Sequence, residues 1–265
     1  MNVEQLFDLS GKVVIITGAA GNLGSRYADG LSQFGANVVL ADIDYIKCKQ
    51  MAKKIKEKYL TDPEPIKLDL TKKKSISSMV SKVLKKYSKI DVLINNAAYQ
   101  GNDKIRKTSF ENLSLDDWNK SISVNLTGVF LMCQQVGKIM KKQKQGNIIN
   151  IGSTYGLVAP DQRIYGDSGQ NAAAFYSASK GGVINLTRYL ASYWNRTGIR
   201  VNTLTPGGVG NNQKSNFIKK YSNKTMLGRM AKKDEYVAAI LFLSSDASSY
   251  MTGSNLIIDG GWTAW

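Results

Sequence analysis

The sequence predicts an α/β fold with a doubly wound parallel sheet of about seven strands and helices on both faces. Short apolar runs rich in β-branched residues recur along the chain, and longer stretches of helical period separate most of them. No repeat, low-complexity tract or Pro/Gly-rich linker divides the 265 residues. Strands that alternate with helices form right-handed βαβ units, so we expect a single domain, residues 1–265, of the Rossmann type.

The individual elements follow from these runs. Strands are predicted at residues 12–17, 37–41, 65–69, 90–94, 147–151, 199–204 and 255–258. Helices are predicted at residues 23–34, 45–59, 76–87, 118–140, 173–194 and 235–243. The helical spacing is illustrated by Ile76, Met79, Val80, Val83, Leu84 and Tyr87.

Two irregular segments, residues 159–172 and 207–230, follow predicted strands. Ligands of open α/β sheets bind just beyond the carboxyl ends of the strands, and functional residues are often carried on such loops. We therefore expect both segments to be substrate loops.

The chain contains no histidine. This excludes histidine-based zinc sites, Ser-His-Asp triads and histidine general bases, so Tyr, Lys, Asp or Glu must transfer protons. No metal site is predicted.

Two features bear on the compartment. Cys48 and Cys133 lie in predicted helices and are interpreted as unpaired packing residues in a reducing compartment. No run of about 18 apolar residues occurs, and acidic residues precede the first apolar stretch. We therefore expect a cytoplasmic protein with neither a membrane span nor a secretory signal.

The net charge of +16 could attract nucleic acid or anionic substrates. Lysines concentrate at residues 47–58, 72–89 and 138–144, where they stand between apolar residues at helical spacing. Such lysines are typical of the solvated faces of amphipathic helices. We therefore expect a small-molecule substrate and no nucleic-acid partner.

An apolar strand at residues 13–16 runs directly into the glycine-rich segment 17–24 and then into a helix. Small residues let the backbone approach a pyrophosphate, whose charge is favoured by the free N–H groups of a helix start. The second strand ends in Asp42, whose carboxylate can accept hydrogen bonds from both ribose hydroxyls. That carboxylate would repel a 2′-phosphate, and the nearest following basic residue is Lys47, so the pattern favours NAD over NADP.

A second motif pairs a phenol with an ammonium group. Tyr176 and Lys180 are four residues apart, which places them on one face of a helix. A free tyrosine, with a pKa of about 10, is a poor base at neutral pH. A neighbouring cation favours the phenolate, so we expect Lys180 to lower the pKa of Tyr176.

Together these motifs resemble those of the short-chain dehydrogenase/reductase family, classical type, across essentially the whole chain. Segment 17–24 resembles the TGxxxGxG turn of the family, with Asn22 where a glycine is usual and Gly21 one position earlier.

Three further segments carry the resemblance. Residues 95–98 are similar to the NNAG motif, with Ala98 in place of glycine. Asp69 resembles the aspartate that contacts adenine, and Pro206 with Gly207 resembles the PG motif near the nicotinamide. The resemblance implies cofactor contacts from Gly18, Asn22, Leu23, Gly24, Asp42, Ile43, Asp69, Leu70, Asn95, Ala97, Tyr176, Lys180, Pro206, Gly207 and Val209.

The resemblance also implies the catalytic residues Asn125, Ser153, Tyr176 and Lys180. Tyr176 would exchange the hydroxyl proton of a secondary alcohol, Lys180 would hold the ribose, and Ser153 would hydrogen-bond the substrate oxygen. Asn125 resembles an asparagine that supports a water-mediated proton relay to the lysine. The segment between Ser153 and Tyr176 is longer than in many relatives, which indicates an insertion.

The inserted residues 160–167 are rich in hydrogen-bonding groups. They favour a sugar, sugar phosphate or sugar-nucleotide substrate, with Ser153, Arg163 and Tyr176 as substrate contacts and Arg163 as the anion contact. The same segment could instead be an oligomer contact or a solvated flap. By resemblance, the C-terminal residues 253–262 belong to an oligomer surface, so a homotetramer or homodimer is expected.

Two other functions stay open. The family includes reductases of 3-oxoacyl thioesters on acyl carrier protein, whose acidic partner would suit a basic surface, although their usual preference for NADP disagrees with Asp42. From another class, the chain could be a non-catalytic dinucleotide sensor or a nucleic-acid-binding protein, because fold does not dictate function.

Overall fold

The computed structural model describes residues 2–265. The strands are β1 Val13–Thr17, β2 Asn37–Asp42, β3 Glu64–Lys67, β4 Val92–Asn95, β5 Gly146–Ile151, β6 Ile199–Pro206 and β7 Asn255–Ile258. The helices are α1 Asn22–Gln33, α2 Tyr45–Lys58, α3 Lys73–Tyr87, α4 Asp103–Arg106, α5 Leu115–Ile122, α6 Gly128–Gln143, α7 Ala174–Tyr193, α8 Ser215–Ser222 and α9 Val237–Ser244.

All seven strands are parallel and lie in the order β3-β2-β1-β4-β5-β6-β7. The chain winds outward from β1 to β3 and then returns to place β4 on the other side of β1. This reversal opens a crevice at the carboxyl ends of β1 and β4, where a Rossmann sheet binds its ligand. The predicted fold class is confirmed.

Two hydrophobic clusters cover the two faces of the sheet. Val14 and Ile16 of β1 pack in one cluster with residues of α1, α2 and α9. Val13 and Ile15 pack in the other with residues of α3, α6 and α7. Because both faces are buried, the central strands appear in the sequence as continuous apolar runs. Both cysteines are free and buried, one in each cluster.

The largest difference from the predicted elements concerns the helix expected at residues 118–140. It begins at Leu115, ends at Gln143 and contains a π-helical turn at Ser123–Thr127 between α5 and α6. Apolar periodicity indicates a helix there, but it does not reveal one wider turn within it. π-helical turns are rare and occur frequently at functional sites.

The segment expected to be irregular at residues 207–230 contains α8. Its inward-facing Phe217 and Tyr221 are one turn apart, which is too short a pattern to predict a helix. None of the helices in the described part of the chain combines the length and apolarity that a bilayer crossing requires.

Candidate active site

The turn between β1 and α1 is built around a close backbone approach. Gly18 has a φ of +66°, and a Cβ there would lie 2.7 Å from the Cα of Ala97. Asn96 closes the turn by donating from Nδ2 to the carbonyl oxygens of Thr17 at 3.0 Å and Gly18 at 3.1 Å. Only glycine fits this position, because the end of β4 packs directly against the turn.

Helix α1 starts beside this turn without a side-chain cap, since the residue before it is Gly21. The first N–H groups of a helix have no intrahelical partner, and the helix dipole is positive at that end. Asn22 and Leu23 line a cavity of 730 Å³. The start of α1 therefore suits an anionic diphosphate, and the glycine turn leaves backbone room for it.

Two carboxylates lie further along the same cavity. Asp42 accepts hydrogen bonds from the backbone N–H of Ala20 at 2.9 Å and of Asp44 at 3.0 Å, so the carboxylate is held in place. Asp69 accepts from the hydroxyl of Thr71 at 2.6 Å, and this bond is the largest cause that lowers the pKa of Asp69. Both positions can receive hydroxyl or amine donors of a nucleoside.

The cavity brings together most of the predicted cofactor residues. It is lined by Gly18, Asn22, Leu23, Asp42, Ile43, Asp69, Leu70, Ala97, Tyr176, Lys180 and Pro206. Its lining also includes Asn96 and Gln100, which the sequence analysis did not select. For Asn96 a signal existed, because successive residues at a strand end point to opposite sides.

The structure places four predicted cofactor residues outside this lining. Asn95 points inward and donates from Nδ2 to Oδ1 of Asn150 at 2.8 Å. Gly24 packs against the carbonyl oxygen of Gly18, and Gly207 packs so closely on Asp259 that a Cβ would lie 2.7 Å from its Cα. Val209 pairs with Ala231 in an isolated β-bridge.

The predicted catalytic pair lies at the other end of the cavity, one turn apart on α7. Lys180 Nζ lies 5.7 Å from the ring centroid of Tyr176 and donates to the carbonyl oxygen of Ile151 at 2.6 Å. The lysine is only 3% exposed. Burial lowers the pKa of Lys180 to about 8, because desolvation penalises its charged form.

The phenol of Tyr176 does not show the expected shift. Burial raises the pKa of Tyr176 and outweighs hydrogen bonds from the side chains of Ser153 and Gln100, which act in the opposite direction. We expected a pKa of Tyr176 below its ordinary value. The net shift is upward and the expectation is wrong, because the desolvation of the phenol dominates. The geometry still places one cation next to one phenol.

Ser153 follows β5 and precedes a short 3-10 turn, Thr154–Gly156. Its Oγ accepts from the backbone N–H of Tyr155 at 3.2 Å, which leaves the hydroxyl proton available to Tyr176 or to a substrate oxygen. Such a donor can stabilise negative charge that develops on a reacting oxygen.

Asn125 lies in the π-helical turn and is buried. Its side chain clamps the backbone of Tyr99, accepting from the N–H at 2.6 Å and donating to the carbonyl oxygen at 2.8 Å. Nδ2 also lies 3.4 Å from the hydroxyl of Ser179 on α7. The side chain therefore ties the segment that carries Gln100 to the helix that carries Tyr176.

A second cavity, the polar cavity, has a volume of 570 Å³ and lies between both predicted substrate loops and α4. It is lined by Asp103, Arg106, Lys107, Tyr165, Asp167, Ser168, Gln170, Asn211, Asn212, Gln213, Lys214, Asn216 and Phe217. Tyr165, in the wall of the polar cavity, is close to the predicted catalytic tyrosine. Together with burial, its phenol raises the pKa of both Tyr155 and Tyr176.

An aromatic cluster holds the two predicted substrate loops together. Its members are Tyr155, Tyr165, Phe217, Tyr221 and Trp262. Trp262 stacks on Tyr221 with ring centroids 4.3 Å apart, so the C-terminal segment supports α8. Aromatic pairs at such separations stabilise a fold beyond their buried area.

Arg163, the predicted anion contact, is not brought to the polar cavity. Its Nε donates to Oδ1 of Asp161 at 2.8 Å, and its side chain is 83% exposed. It lines a separate surface depression with Lys220 and Lys224.

A phosphate-binding helix start and a phenol–ammonium pair that share one cavity are typical of dinucleotide-dependent oxidoreductases. Comparison with known proteins narrows this class. A family model described as enoyl-(acyl carrier protein) reductase matches residues 18–263. The chain belongs to the short-chain dehydrogenase/reductase family, as its motifs predicted.

Several relatives cover the chain almost completely. The 3-oxoacyl-(acyl-carrier-protein) reductase of Thermotoga maritima is 37% identical over 257 residues, which are 96% of this chain and 98% of the relative. The NAD-dependent glycerol dehydrogenase of Listeria innocua is 34% identical over 262 residues, 97% of this chain and 96% of the relative. The structure of a gluconate 5-dehydrogenase from Burkholderia cenocepacia in complex with NADP and tartrate superimposes with a TM-score of 0.89 at 28% identity and covers 100% of both chains.

The family and its members establish the general activity. The chain is an oxidoreductase that acts on alcohol or ketone groups with a nicotinamide dinucleotide. The relatives differ in substrate, and both NAD and NADP occur among their names.

Proposed function

We propose that this protein interconverts a secondary alcohol and a ketone on a polar, polyhydroxylated substrate of the sugar type, with NAD(H) as its cofactor. The observation that carries the substrate proposal is the polar cavity, one of whose lining residues, Tyr165, is close enough to Tyr176 to contribute to its raised pKa. Its wall is mainly amide, hydroxyl and charged side chains, which suit a ligand with many hydroxyl groups.

The residues of the larger cavity fit a dinucleotide. The Gly18 turn and the start of α1 would hold the pyrophosphate, Asp42 a ribose, Asp69 the adenine, and Lys180 the second ribose. When bound, the cofactor supplies the hydride acceptor or donor.

The proton chemistry falls to Tyr176 and Ser153. In alcohol oxidation the Tyr176 oxygen takes the proton of the substrate hydroxyl, and in ketone reduction it returns that proton. Ser153 donates a hydrogen bond to the same substrate oxygen and so orients it. Lys180 lies beside the phenol, where its positive charge would oppose the rise in pKa that burial causes.

Asp42 supports the proposed preference for NAD. Two backbone N–H groups hold its carboxylate in the cavity wall, and the next residue, Ile43, offers no positive charge. A 2′-phosphate at this place would meet a fixed negative charge.

The proposal is tested by measuring turnover with NAD(H) and NADP(H) on polyols, sugar phosphates and an acetoacetyl thioester. We expect activity on a hydroxylated substrate, greater with NAD(H), that the variant Tyr176→Phe loses. Activity on the thioester alone would refute the sugar proposal.

Two observations favour reduction of 3-oxoacyl thioesters as a second candidate. The Thermotoga maritima reductase is 37% identical to this chain, and a net charge of +16 would attract an acidic carrier protein. The polar cavity counts against it, because an acyl chain would leave its charged and amide groups without partners.

We also propose that the protein forms a homotetramer or homodimer. The support is a set of large side chains that remain exposed on α6, α7 and β7, namely Phe130, Tyr189, Tyr193 and Ile257. Light scattering coupled to size-exclusion chromatography tests this, and a monomer at micromolar concentration would contradict it.

A further inference from the structure

The polar cavity contains an unusual set of charges. Three of its side chains are cations, Arg106, Lys107 and Lys214, and two are carboxylates, Asp103 and Asp167. Within residues 2–265 none of the five forms an ion pair or a side-chain hydrogen bond. The excess of positive charge in a concave site favours an anionic ligand.

Other arginines near the substrate loops are already engaged. Arg163 binds Asp161, and Arg229 binds Glu235 through two nitrogen–oxygen contacts of 2.7 and 2.6 Å. Arg106 lines the polar cavity, and in the part of the chain that the structure describes its guanidinium has no carboxylate partner. Its forked donors match a carboxylate or a phosphate better than a lysine does.

The backbone of Arg106 is fixed relative to Tyr176. Its carbonyl oxygen accepts from the N–H of Asn171 at 2.7 Å, and Nδ2 of Asn171 donates to the carbonyl oxygen of Thr108 at 2.8 Å. Asn171 lies five residues before Tyr176, in the segment that leads into α7.

Packing strengthens this connection. Ile105, next to Arg106, is buried in a small cluster with Phe175, and Tyr176 packs against the same cluster. A group bound at Arg106 is therefore held at a set separation from the catalytic phenol, as positioning of a substrate requires.

We propose that Arg106 binds the charged end of the substrate, a carboxylate or a phosphate monoester, with Lys107 and Lys214 adding positive potential. This inference rests on the proposed function, because the hydroxyl or ketone of the same molecule must reach Tyr176 and Ser153. It replaces Arg163 by Arg106 as the residue that selects anionic sugars.

The test compares matched substrate triplets that share one carbon chain and configuration and end in a hydroxyl, a carboxylate or a phosphate monoester. We expect the wild type to prefer one of the two anionic members, and which of them it prefers identifies the anion. In Arg106→Gln, KM for that member should rise about 10- to 100-fold, the value of a charge-assisted hydrogen bond, with kcat changed less.

The neutral member is the internal control, and its KM should stay within about 2-fold in Arg106→Gln. Arg163→Gln is the matched control variant, and it should leave all three members unchanged because that guanidinium lies outside the cavity. Arg106→Lys keeps the charge without the fork and should recover part of the lost affinity.

Two results would overturn the inference and are distinguishable. If Arg106→Gln alters charged and neutral members equally, the inference fails and the proposed function stands. If no triplet is turned over while an acetoacetyl thioester is reduced, the proposed function fails and the inference with it.

Discussion

The 730 Å³ cavity that Tyr176 lines and the polar cavity share no lining residue, and they are built differently. Backbone and strand ends form much of the first, in the Gly18 turn, the start of α1 and the carboxylate after β2. Side chains from α4 and from the two predicted substrate loops form the polar cavity, and an aromatic cluster holds the two loops together. We therefore expect cofactor binding to depend on few side chains and substrate binding to depend on loop packing.

Replacing Tyr176 by Phe tests the catalytic residue that lines the 730 Å³ cavity and should have the largest effect. The variant loses the proton-transfer group, so kcat should fall about 100- to 10,000-fold. The dissociation constant of the cofactor should change little, because the ring and its packing remain. Steady-state kinetics and a cofactor titration measure both.

The control for this variant is Tyr189→Phe, an exposed tyrosine on the same helix. It should retain nearly full turnover. Near-wild-type turnover in Tyr176→Phe would remove the tyrosine from the mechanism.

Replacing Trp262 by Ala removes packing that supports the polar cavity and should affect substrate binding more than cofactor binding. Trp262 is 7% exposed and stacks on Tyr221, so its loss should lower the free energy of unfolding by about 3–5 kcal/mol. KM for the substrate should rise while the cofactor dissociation constant stays nearly constant. Chemical denaturation and the two titrations check this.

Trp265, which is 72% exposed, provides the matched control. Trp265→Ala should change the unfolding free energy by less than about 1 kcal/mol. Equal weakening of cofactor and substrate binding in Trp262→Ala would show that both cavities depend on this packing to the same extent.

Replacing Asp42 by Asn tests the proposed NAD preference and should not affect the polar cavity. Removal of the charge should weaken NAD about 10- to 100-fold and weaken NADP less, because the neutral amide no longer repels a 2′-phosphate. Asp44→Asn is the control, since Asp44 caps α2 and lies outside the cavity lining. Unchanged selectivity between NAD and NADP in Asp42→Asn would contradict the proposed preference.

The smallest expected effect is the pH dependence that Lys180 adds to stability. Its pKa of about 8 in the folded protein lies below the ordinary 10.5, so the folded state binds fewer protons than the unfolded state between these values. Stability from this group therefore rises with pH across that window.

Relative to Lys180→Met, the wild type should gain about 1–2 kcal/mol of unfolding free energy between pH 8 and pH 9.5. Denaturant titrations at the two pH values measure the difference. Lys120→Met, at an exposed lysine of the same cavity, is the control. A difference that does not vary with pH would mean that Lys180 is not desolvated as the structure indicates.

Much of the architecture could be predicted from the sequence. The strand bounds agree to within a few residues, since strands buried on both faces leave apolar runs that need no tertiary information. The π-helical turn at Asn125 and the helix α8 could not be predicted, because one wide turn or two apolar residues leave no period to detect.

At the candidate site, the sequence predicted the residues that belong to short local motifs. Gly18, Asn22, Asp42 and Tyr176 are close in sequence to the turn or helix that presents them, and all line the cavity. Asn96 was missed in favour of Asn95 because the side of the sheet to which a strand-end residue points depends on the exact register of that strand.

The sequence by itself determined the fold class, the family, and the order of the turn, the serine and the Tyr–Lys pair, because these depend on local backbone preferences and apolar period. Only the tertiary structure decided which charges line the polar cavity. Arg163 lies in the loop predicted to be an insertion and is paired with Asp161, whereas Arg106 lines the polar cavity from α4 and has no carboxylate partner among residues 2–265. Ion pairing and cavity walls join residues far apart in the chain, and no local pattern records them.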